Sequence, residues 1–459
     1  MKLASSTATR YRLGEILRPG DADYERCRRI WNGAIDRRPA FIARCRTAAE
    51  VAAAVRFAAD HALLLSVKGG GHSIPGWSVC EGGLMIDLSP MKAVTVDPQQ
   101  RLATAEPGVL LRDYDAATQA HGLASPGGEI SHTGIAGLTL GGGIGWLSRR
   151  FGLACDHLVE AQVVLADGTI VTASDTQHAD LFWALRGGGG NFGVVTKFTF
   201  RLHPVAPMQA GFVMYPAAAA ADVLGFYEEL TRSAPDAQSL IAALVDAPPA
   251  PFVPAELQLR PVVAIAGCHV GPVDEGIEAM QRVRRYGKPV VDTIAVQPYV
   301  DIQRWFDESV PHGLHYYCRS EWLSALDSRA IDALALAGAS RTSPMSQVLV
   351  RHMGGAVARV PPDATAFWFR QADHMLTLAS CWQPADAAAQ AHSTWCRKAW
   401  ESLRSASAGG GYVNHLTHEG EDRTREAYGA PNWERLVTIK RRYDPTNLFR
   451  MNQNIPAAA

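Results

Sequence analysis

Apolar residues in the first 205 positions fall into short runs that polar or glycine-rich turns separate. Residues 41–43 have the apolar pattern of a strand, and residues 47–50 have the S/T-x-x-E form of a capping box that opens an alanine-rich helix. A second apolar run, residues 63–68, predicts a strand that leads directly into three glycines. The first unit is therefore predicted as strand, helix, strand and glycine loop.

Further strands are predicted downstream of this loop by alternating apolar and polar residues. Residues 84–88 predict one strand, and residues 94–105 and 163–171 each predict a hairpin, the second around the turn Asp167-Gly168. The pattern also predicts helices over 109–120 and 179–186 and a strand over 194–200. We expect these elements to form a mixed α+β domain over residues 1–205.

The pattern changes after the proline-containing boundary at residues 204–207. A second α+β domain, residues 206–409, is predicted from helices over 217–232 and 274–286 and strands over 262–268 and 367–382. The last segment, residues 410–459, contains an amphipathic helix that Asp444-Pro445 ends. Two domains are also expected from length, because 459 residues exceed the usual size of one core.

Three glycine sets punctuate the first domain: residues 68–73 (KGGGHS), residues 126–146 and residues 187–193. Glycine has no Cβ, so such loops let backbone N–H groups approach a bulky anion such as a pyrophosphate. For the first set alone, a tight surface turn is an equal alternative. The third set matches G-x-G-x-x-G, but it follows a predicted helix and precedes a strand, which argues against a Rossmann nucleotide site.

Together with residues 149–156 (RRFGLACD) and the tail 443–455 (YDPTNLFRMNQNI), these glycine sets resemble the berberine bridge enzyme-like family of FAD-linked oxidases. The resemblance implies a two-domain FAD-binding fold of the PCMH, vanillyl-alcohol-oxidase type. In that fold an antiparallel sheet of the second domain covers the flavin, and a C-terminal segment returns to the flavin domain. It also implies hydride transfer from an alcohol or amine to FAD and then to oxygen, with release of hydrogen peroxide.

The resemblance implies which residues hold FAD. In the family the histidine of the GGGH loop is bonded to the flavin 8α-methyl carbon, and His72 is that residue here. Many members add a cysteine bond four residues before the glycine that matches Gly134; Ile130 stands there, and Cys155 does not match that position. The expected cofactor-binding residues are Lys68, Gly69, Gly70, Gly71, His72, Ser73, Gly76, Trp77, Pro107, Gly127, Gly128, Thr133, Gly134, Gly137, Gly141, Gly142, Gly143, Gly145, Trp146, Gly193, Val195, Tyr412, Asn452 and Asn454.

The catalytic residues that the resemblance implies lie mainly in the tail. Residues 412–416 (YVNHL) resemble a family strand whose alternation would turn Tyr412 and Asn414 toward the substrate. An ordinary phenol has a pKa of about 10, so Tyr412 would need a nearby cation or hydrogen-bond donor to act as a base. The candidates for that neighbour are Arg351, His352 and Arg370.

Three further positions are less defined. His415 replaces the second tyrosine of the family segment, and it is either a base or a structural histidine. His132 would lie beside the ring, with a substrate contact and a structural role weighed equally. Thr133 corresponds to a position thought to control oxygen access, and its modest side chain leaves that route open.

Composition narrows the partners to small molecules. A formal net charge of -1 gives no electrostatic reason to expect nucleic acid or an anionic membrane as a partner. The eight cysteines lack metal-site spacing, so we expect them to be reduced and buried and expect no metal. Residues 1–6 do not lead into a signal-peptide apolar region, and no apolar run is long enough to span a membrane, so a cytoplasmic location is expected.

Other functions were weighed against the oxidase. Neither a G-x-S-x-G elbow nor a nucleotide P-loop is present, which argues against serine hydrolysis and phosphoryl transfer. An FAD dehydrogenase with another electron acceptor stays open. A flavin-containing protein that binds or sequesters a natural product also stays open, because the substrate pocket lies within residues 207–400, where the resemblance is weakest.

Overall fold

The structure is a computed structural model that describes residues 11–457. Residues 1–6, on which the expected lack of a signal peptide depends, lie outside the described residues. Within residues 11–457, no helix is both long and apolar enough to cross a membrane.

Three sheets belong to the described part of the first 205 residues, and two of them have more than two strands. In the first sheet, one antiparallel pair is followed by two parallel pairs, with the strands in the order Glu15–Leu17, Phe41–Arg44, Leu84–Asp87 and Leu65–Lys68. The second sheet is antiparallel throughout, in the order Val94–Asp97, Leu102–Ala105, Val194–Arg201, Leu158–Val164 and Ile170–Ser174. The short strands Leu123–Ala124 and His203–Pro204 pair with each other.

The largest sheet of the described chain is antiparallel. Its strands follow the order Val291–Asp292, Met208–Pro216, Pro261–His269, Gln238–Asp246, Gln347–His352, His374–Trp382 and His315–Leu323, with Ala295–Gln297 also paired to Met208–Pro216. Alternate residues of this sheet, such as Val213, Leu240 and Leu378, pack in one core with the helices Ala220–Ser233, Val273–Arg285, Ser328–Ala339 and Ala389–Leu403. The opposite face of the sheet is therefore free to line a cavity.

The remaining helices are shorter or belong to the first 205 residues and the tail. The α-helices are Tyr24–Arg28, Ala48–Asp60, Leu111–Gln119, Ile135–Leu140, Ser148–Phe151, Ala179–Leu185, Tyr299–Ile302, Ala356–Arg359, Glu421–Tyr428 and Ala430–Tyr443. The 3-10 helices are Ala154–His157, Ala217–Ala219, Asp307–Ser309, Arg404–Ala406 and Val413–His415.

Most elements predicted in the first domain are confirmed. Thr47 caps the helix Ala48–Asp60 by accepting the backbone N–H of Glu50 at 3.2 Å. Both hairpins form, and the third glycine set follows the helix Ala179–Leu185 and precedes the strand Val194–Arg201. That order of elements confirms the argument against a Rossmann site.

One predicted strand is confirmed only in part, and another is wrong. The strand expected over 367–382 begins only at His374, because Phe367 and Phe369 pack their rings in a cluster with Trp322 and Tyr412 and do not join the sheet. The strand expected over 412–416 is instead the single 3-10 turn Val413–His415. The sheet strands Gln238–Asp246, His315–Leu323 and Gln347–His352 had not been predicted.

Buried polar side chains bring the tail back to the first domain. The Lys440 ammonium donates to the Asp444 carboxylate and to the carbonyl of Asn191, both at 2.7 Å. The Asn191 amide donates to the Gln453 carbonyl at 3.1 Å and accepts the N–H of Ile455 at 3.1 Å. The expected return of the C-terminal segment to the first domain is thus built from specific hydrogen bonds, which the structure places at the third glycine set. The exact domain boundaries at 205 and 409 stay predictions.

Candidate functional site

A cavity of about 930 Å³ lies between the glycine loops and the free face of the large sheet. Its volume is at the upper end for small-molecule and cofactor sites. One wall includes Gly69–Ser73, Thr133, Gly134, Gly190 and Gly193; we call it the glycine wall. The opposite wall, which we call the sheet wall, is formed by alternate residues of the large sheet, among them Met214, Ala243, Leu349, Arg351 and Thr377.

The glycine wall depends on a backbone crossing that only glycines permit. A Cβ on Gly70 would lie 2.4 Å from the N and Cα atoms of Gly134, and a Cβ on Gly134 would lie 2.5 Å from the N atom of Gly70. Gly71 has a φ of +70°, which disfavours other residues. Among the described residues, the N–H groups of Gly70 and Gly71 have no protein acceptor, so they can donate to an anionic ligand.

The glycine wall fits FAD on these grounds. A dinucleotide carries a pyrophosphate, which free backbone N–H groups can bind, and a flat ring, which needs a wall without side chains. Gly137 illustrates the second need, because a Cβ built there would meet no protein atom within 4 Å. Gly69–Ser73 and Gly134 to Leu138 are the segments that would hold the cofactor.

His72 lines the cavity at the end of the first glycine loop. Its ring stacks on Trp31 with centroids 4.3 Å apart, and Trp31 stacks in turn on Tyr316 at 3.7 Å. On another side, the His72 Nε2 atom lies 3.1 Å from the His132 Nδ1 atom. Burial, with His132 and His312 nearby, lowers the pKa of His72 well below its usual value. A neutral imidazole in a fixed orientation is the form that can act as a nucleophile.

Ile130, at the family's second attachment position, and Cys155 have different surroundings in the structure. Ile130 lines the cavity and carries no nucleophile. Cys155 is fully buried in an apolar cluster that contains Leu153, Val357 and Met375, and burial raises the pKa of its thiol well above the usual value. All eight cysteines are buried and free, as expected.

Tyr412 is buried and its ring faces the cavity. Its hydroxyl oxygen accepts the N–H of Gly143 at 2.9 Å and the side-chain N–H of Asn414 at 2.8 Å. Tyr412 and Asn414 therefore meet, although through a 3-10 turn and not through strand alternation. A Cβ on Gly141 would lie 2.1 Å from the Asn414 amide oxygen, so this glycine admits the tail segment.

Burial raises the pKa of Tyr412, and the two N–H donors oppose that rise. Donors to a phenolic oxygen favour the phenolate, whereas loss of water favours the phenol. Because burial is the larger effect here, Tyr412 is protonated in the resting protein. It can accept a proton only after it has given up its own.

Of the three proposed neighbours of Tyr412, only Arg351 lines the cavity. Its guanidinium is paired with Glu129, with the Nε atom 2.9 and 2.8 Å from the two carboxylate oxygens, and its Nη1 atom donates to the Thr377 hydroxyl at 2.9 Å. Thr377 Oγ1 lies 3.1 Å from the Nδ1 atom of His415. This chain of contacts joins the glycine wall, through Glu129, to the sheet wall.

The other two neighbours are committed elsewhere. Arg370 forms a bidentate ion pair with Asp156, with both N···O distances 2.7 Å. His352 lies beside His374, and burial lowers its pKa to about 2. Neither lines the cavity.

The predicted site residues separate into two groups. Those that line the cavity are Gly69, Gly70, Gly71, His72, Ser73, Trp77, Gly128, Thr133, Gly134, Gly137, Gly193, Val195, Tyr412, Asn414, His415 and Asn452. Those placed behind its surface are Lys68, Gly76, Pro107, Gly127, Gly141, Gly142, Gly143, Gly145, Trp146, His132 and Asn454.

Several members of the second group support the walls. Lys68 donates to the carbonyl of Cys27 at 2.5 Å, and Trp146 packs with Met208 and Tyr299 in an apolar cluster. Asn454 keeps a buried side-chain oxygen without a partner among the described residues. The contacts of Lys68 and Trp146 are those of structural support.

The cavity residues missed by sequence reasoning include Trp31, Glu129 and Thr377. Trp31 precedes the first predicted strand, and Thr377 lies in a strand whose facing direction depends on pairing with distant strands. Glu129 lies within the second glycine set, and an acidic residue in a predicted anion site was the one available signal.

Two family models match the chain: the FAD binding domain over residues 39–174 and berberine and berberine-like over residues 411–456. An FAD-linked oxidoreductase of Dictyostelium discoideum is 32% identical over 445 residues, covering 96% of this chain and 94% of that protein. The chain belongs to the berberine bridge enzyme-like family of FAD-linked oxidoreductases. Both matched regions contribute to the cavity, the first through His72 and the second through Tyr412.

Other members of the family are named for their activities. The (R)-6-hydroxynicotine oxidase of Paenarthrobacter nicotinovorans is 31% identical, with 96% of each chain covered. The xylooligosaccharide oxidase of Thermothelomyces thermophilus is 30% identical, with 93% of this chain and 89% of that protein covered. The crystal structure of 6-hydroxy-D-nicotine oxidase from Arthrobacter nicotinovorans superimposes with a TM-score of 0.88 at 28% identity, covering 97% of this chain and 98% of that chain. The family therefore contains oxidases of chemically different substrates.

Proposed function

We propose that this FAD-linked oxidoreductase is an oxidase that holds FAD covalently through His72, takes a hydride from an alcohol or amine, and reduces oxygen to hydrogen peroxide. The observation that carries the proposal is the position of His72, Thr133 and Tyr412 on one cavity, between the glycine wall and the sheet wall. Bound FAD supplies the two-electron acceptor. The side chains described below bind, orient and exchange protons.

Attachment through His72 is supported by its surroundings. Stacking on Trp31 fixes the ring plane, and the contact between Nε2 and His132 leaves Nδ1 as the second ring nitrogen available for a bond. Ile130 cannot form a second bond. We therefore propose one covalent link.

Proton handling is assigned to the tail segment. For Tyr412 to act as the base, its own proton first passes to solvent; the phenolate, stabilised by the N–H groups of Gly143 and Asn414, then takes the proton that the substrate alcohol or amine loses. Oxygen is proposed as the final acceptor because the relatives named for an activity are oxidases and because Thr133 lines the cavity. The cytoplasmic location expected from the sequence stays a prediction.

Stopped-flow mixing of the holoprotein with alcohols and amines in the absence of oxygen tests the proposal. We expect a donor to bleach the flavin absorbance, and admission of air to restore it with one peroxide released per flavin. Reduced flavin that reacts with an artificial dye but not with air would identify a dehydrogenase. Substrate-dependent reduction of NAD without oxygen would contradict the assigned acceptor.

A further inference from the structure

The sheet wall is apolar over most of its area. Strand pairing places Met214 opposite Ala264, Ala264 opposite Ala243, and Ala243 opposite Leu349, so that one row of cavity-lining residues crosses four strands without a polar side chain. Met375, in the strand beside Leu349, extends the apolar surface. A substrate hydroxyl against this surface would lose its hydrogen bonds to water and find no replacement.

Polar side chains at the strand ends do not change this apolar row. Asp246 forms an ion pair with Arg341, and the Gln347 amide donates to the carbonyl of Ser309 at 3.4 Å. Glu308 lines the cavity but is exposed to solvent. These polar groups are therefore paired within the protein or hydrated, and the row from Met214 to Leu349 stays apolar.

One end of the sheet wall presents hydrogen-bond donors. A guanidinium can only donate, so the contact between Arg351 and Thr377 uses a lone pair of the threonine hydroxyl. Among the described residues, the acceptor that lies within hydrogen-bonding distance of the Thr377 hydroxyl proton is then the Nδ1 atom of His415, at 3.1 Å. Because Nδ1 accepts this proton, a neutral His415 carries its own proton on Nε2. Nε2 is not a buried atom that lacks a partner among the described residues.

His415 and Arg351 both line the cavity, and the charge of Arg351 is balanced by Glu129. The end of the site therefore offers N–H groups without an unpaired anion or a free base. An oxygen with lone pairs, such as a carbonyl or a phenol oxygen, is the ligand group that matches these donors. An ammonium group has no lone pair and does not match them.

We infer that the substrate is a largely apolar molecule that presents one hydrogen-bond-accepting oxygen to His415 and Arg351, and is not an oligosaccharide. The inference rests on the proposed function and names the substrate class of the same cavity. His415 acts in it as a specificity-determining donor. Its position follows from Thr377, which fixes the ring nitrogen that carries the proton.

Binding to the intact holoprotein tests the inference without turnover. The probes are 4-hydroxybenzaldehyde, which has the ring and acceptor oxygens, toluene, which has the ring alone, and cellobiose. Perturbation of the flavin absorbance reports occupancy of the cavity. We expect 4-hydroxybenzaldehyde to bind about tenfold tighter than toluene, the value of one hydrogen bond, and cellobiose not to bind at millimolar concentration.

Two variants of His415 test whether its N–H group, and not its ring, causes the preference for 4-hydroxybenzaldehyde. His415→Phe keeps a ring and removes the N–H, so the preference for 4-hydroxybenzaldehyde over toluene should disappear. His415→Gln keeps a donor and should retain part of that preference. An unchanged preference in His415→Phe would overturn the donor assignment.

The cellobiose arm needs no variant and remains decisive if His415→Phe does not fold. Cellobiose that binds or bleaches the flavin, while the ring probes do not bind, would overturn the substrate class and leave the oxidase proposal intact. Failure of the oxidase proposal alone would look different. If the ring probes bind as expected but no donor of any class reduces the flavin, the substrate inference is supported and the oxidase is contradicted.

Discussion

The two walls of the cavity are built in different ways. The glycine wall is backbone, held by the crossing of Gly70 and Gly134 and closed by the tail through Asn191. The sheet wall is side chain, contributed by alternate residues of strands that lie far apart in the sequence, such as Met214, Ala243 and Leu349. A wall made of backbone tolerates few substitutions, so it suits a cofactor that stays the same from one family member to the next. A side-chain wall can be altered residue by residue without changing the fold, as substrate choice requires.

The largest effect is expected where the glycine wall meets the flavin. His72→Ala removes the nucleophile, so covalent attachment should be lost completely, although FAD can still bind through the glycine loops. Acid precipitation followed by peptide mapping measures this, because the unaltered protein should give a yellow pellet and one FAD-sized adduct on the His72 peptide. Cys155→Ala is the matched control and should keep its adduct. Complete flavin release from the unaltered protein, or an adduct on any cysteine, would disprove the single link.

The next largest effect concerns the ion pair that joins the walls. Glu129→Ala leaves Arg351 buried without its carboxylate, and removal of one partner of a buried pair costs about 3–5 kcal/mol. Urea unfolding of the holoprotein measures the loss. Glu229→Ala removes one partner of an exposed pair with Arg282 and should cost less than about 1 kcal/mol. Equal losses in both variants would show that Glu129 does not join the two walls energetically.

Within the glycine wall, Gly70→Ala places a methyl group 2.4 Å from backbone atoms of Gly134. Neither backbone segment is a flexible side-chain end, so we expect a loss of about 3 kcal/mol in unfolding free energy together with reduced FAD content. Gly225→Ala, in the helix Ala220–Ser233 with no atom within 4 Å of the new methyl, should be neutral or slightly stabilising. Normal FAD content in Gly70→Ala would remove the steric argument for the crossing.

On the catalytic side, Tyr412→Phe keeps the ring that packs beside Phe367 and removes the hydroxyl held by Gly143 and Asn414. We expect flavin reduction to slow by roughly a hundredfold, the contribution typical of a lost general base. Tyr286→Phe, which removes a hydroxyl bonded to the Asp222 carbonyl outside the cavity, is the control. Unchanged reduction in Tyr412→Phe would transfer the proton role to another group.

The difference between the walls also explains which site residues could be predicted from the sequence. Gly70 and Gly134 could be predicted because a close backbone approach restricts residue identity at each position, and that restriction is visible in a single chain. His72 was predicted from the family resemblance, and its bond to the flavin stays a prediction. Thr377 and Glu129 were not found, because their roles depend on which distant strand or loop faces them. The turn at Val413–His415 was mistaken for a strand, since alternating residues cannot show that Asn414 reaches Tyr412 by a local hydrogen bond.

The smallest effect is expected when the pH is lowered. It concerns His352, which supports the sheet wall from behind and does not line the cavity. His352 has a folded-state pKa of about 2, lowered by burial, with Arg149 and His374 nearby, whereas a histidine in the unfolded chain has a pKa of about 6.5. Below pH 6.5 the unfolded chain therefore binds a proton that the folded protein does not, and stability falls as pH falls. From pH 7 to pH 5 this one residue should remove about 1–2 kcal/mol of unfolding free energy. His352→Gln should flatten the pH dependence of unfolding measured in urea, and His121→Gln, at an exposed position, should not. Parallel curves for all three proteins would show that His352 becomes protonated without resistance from the fold.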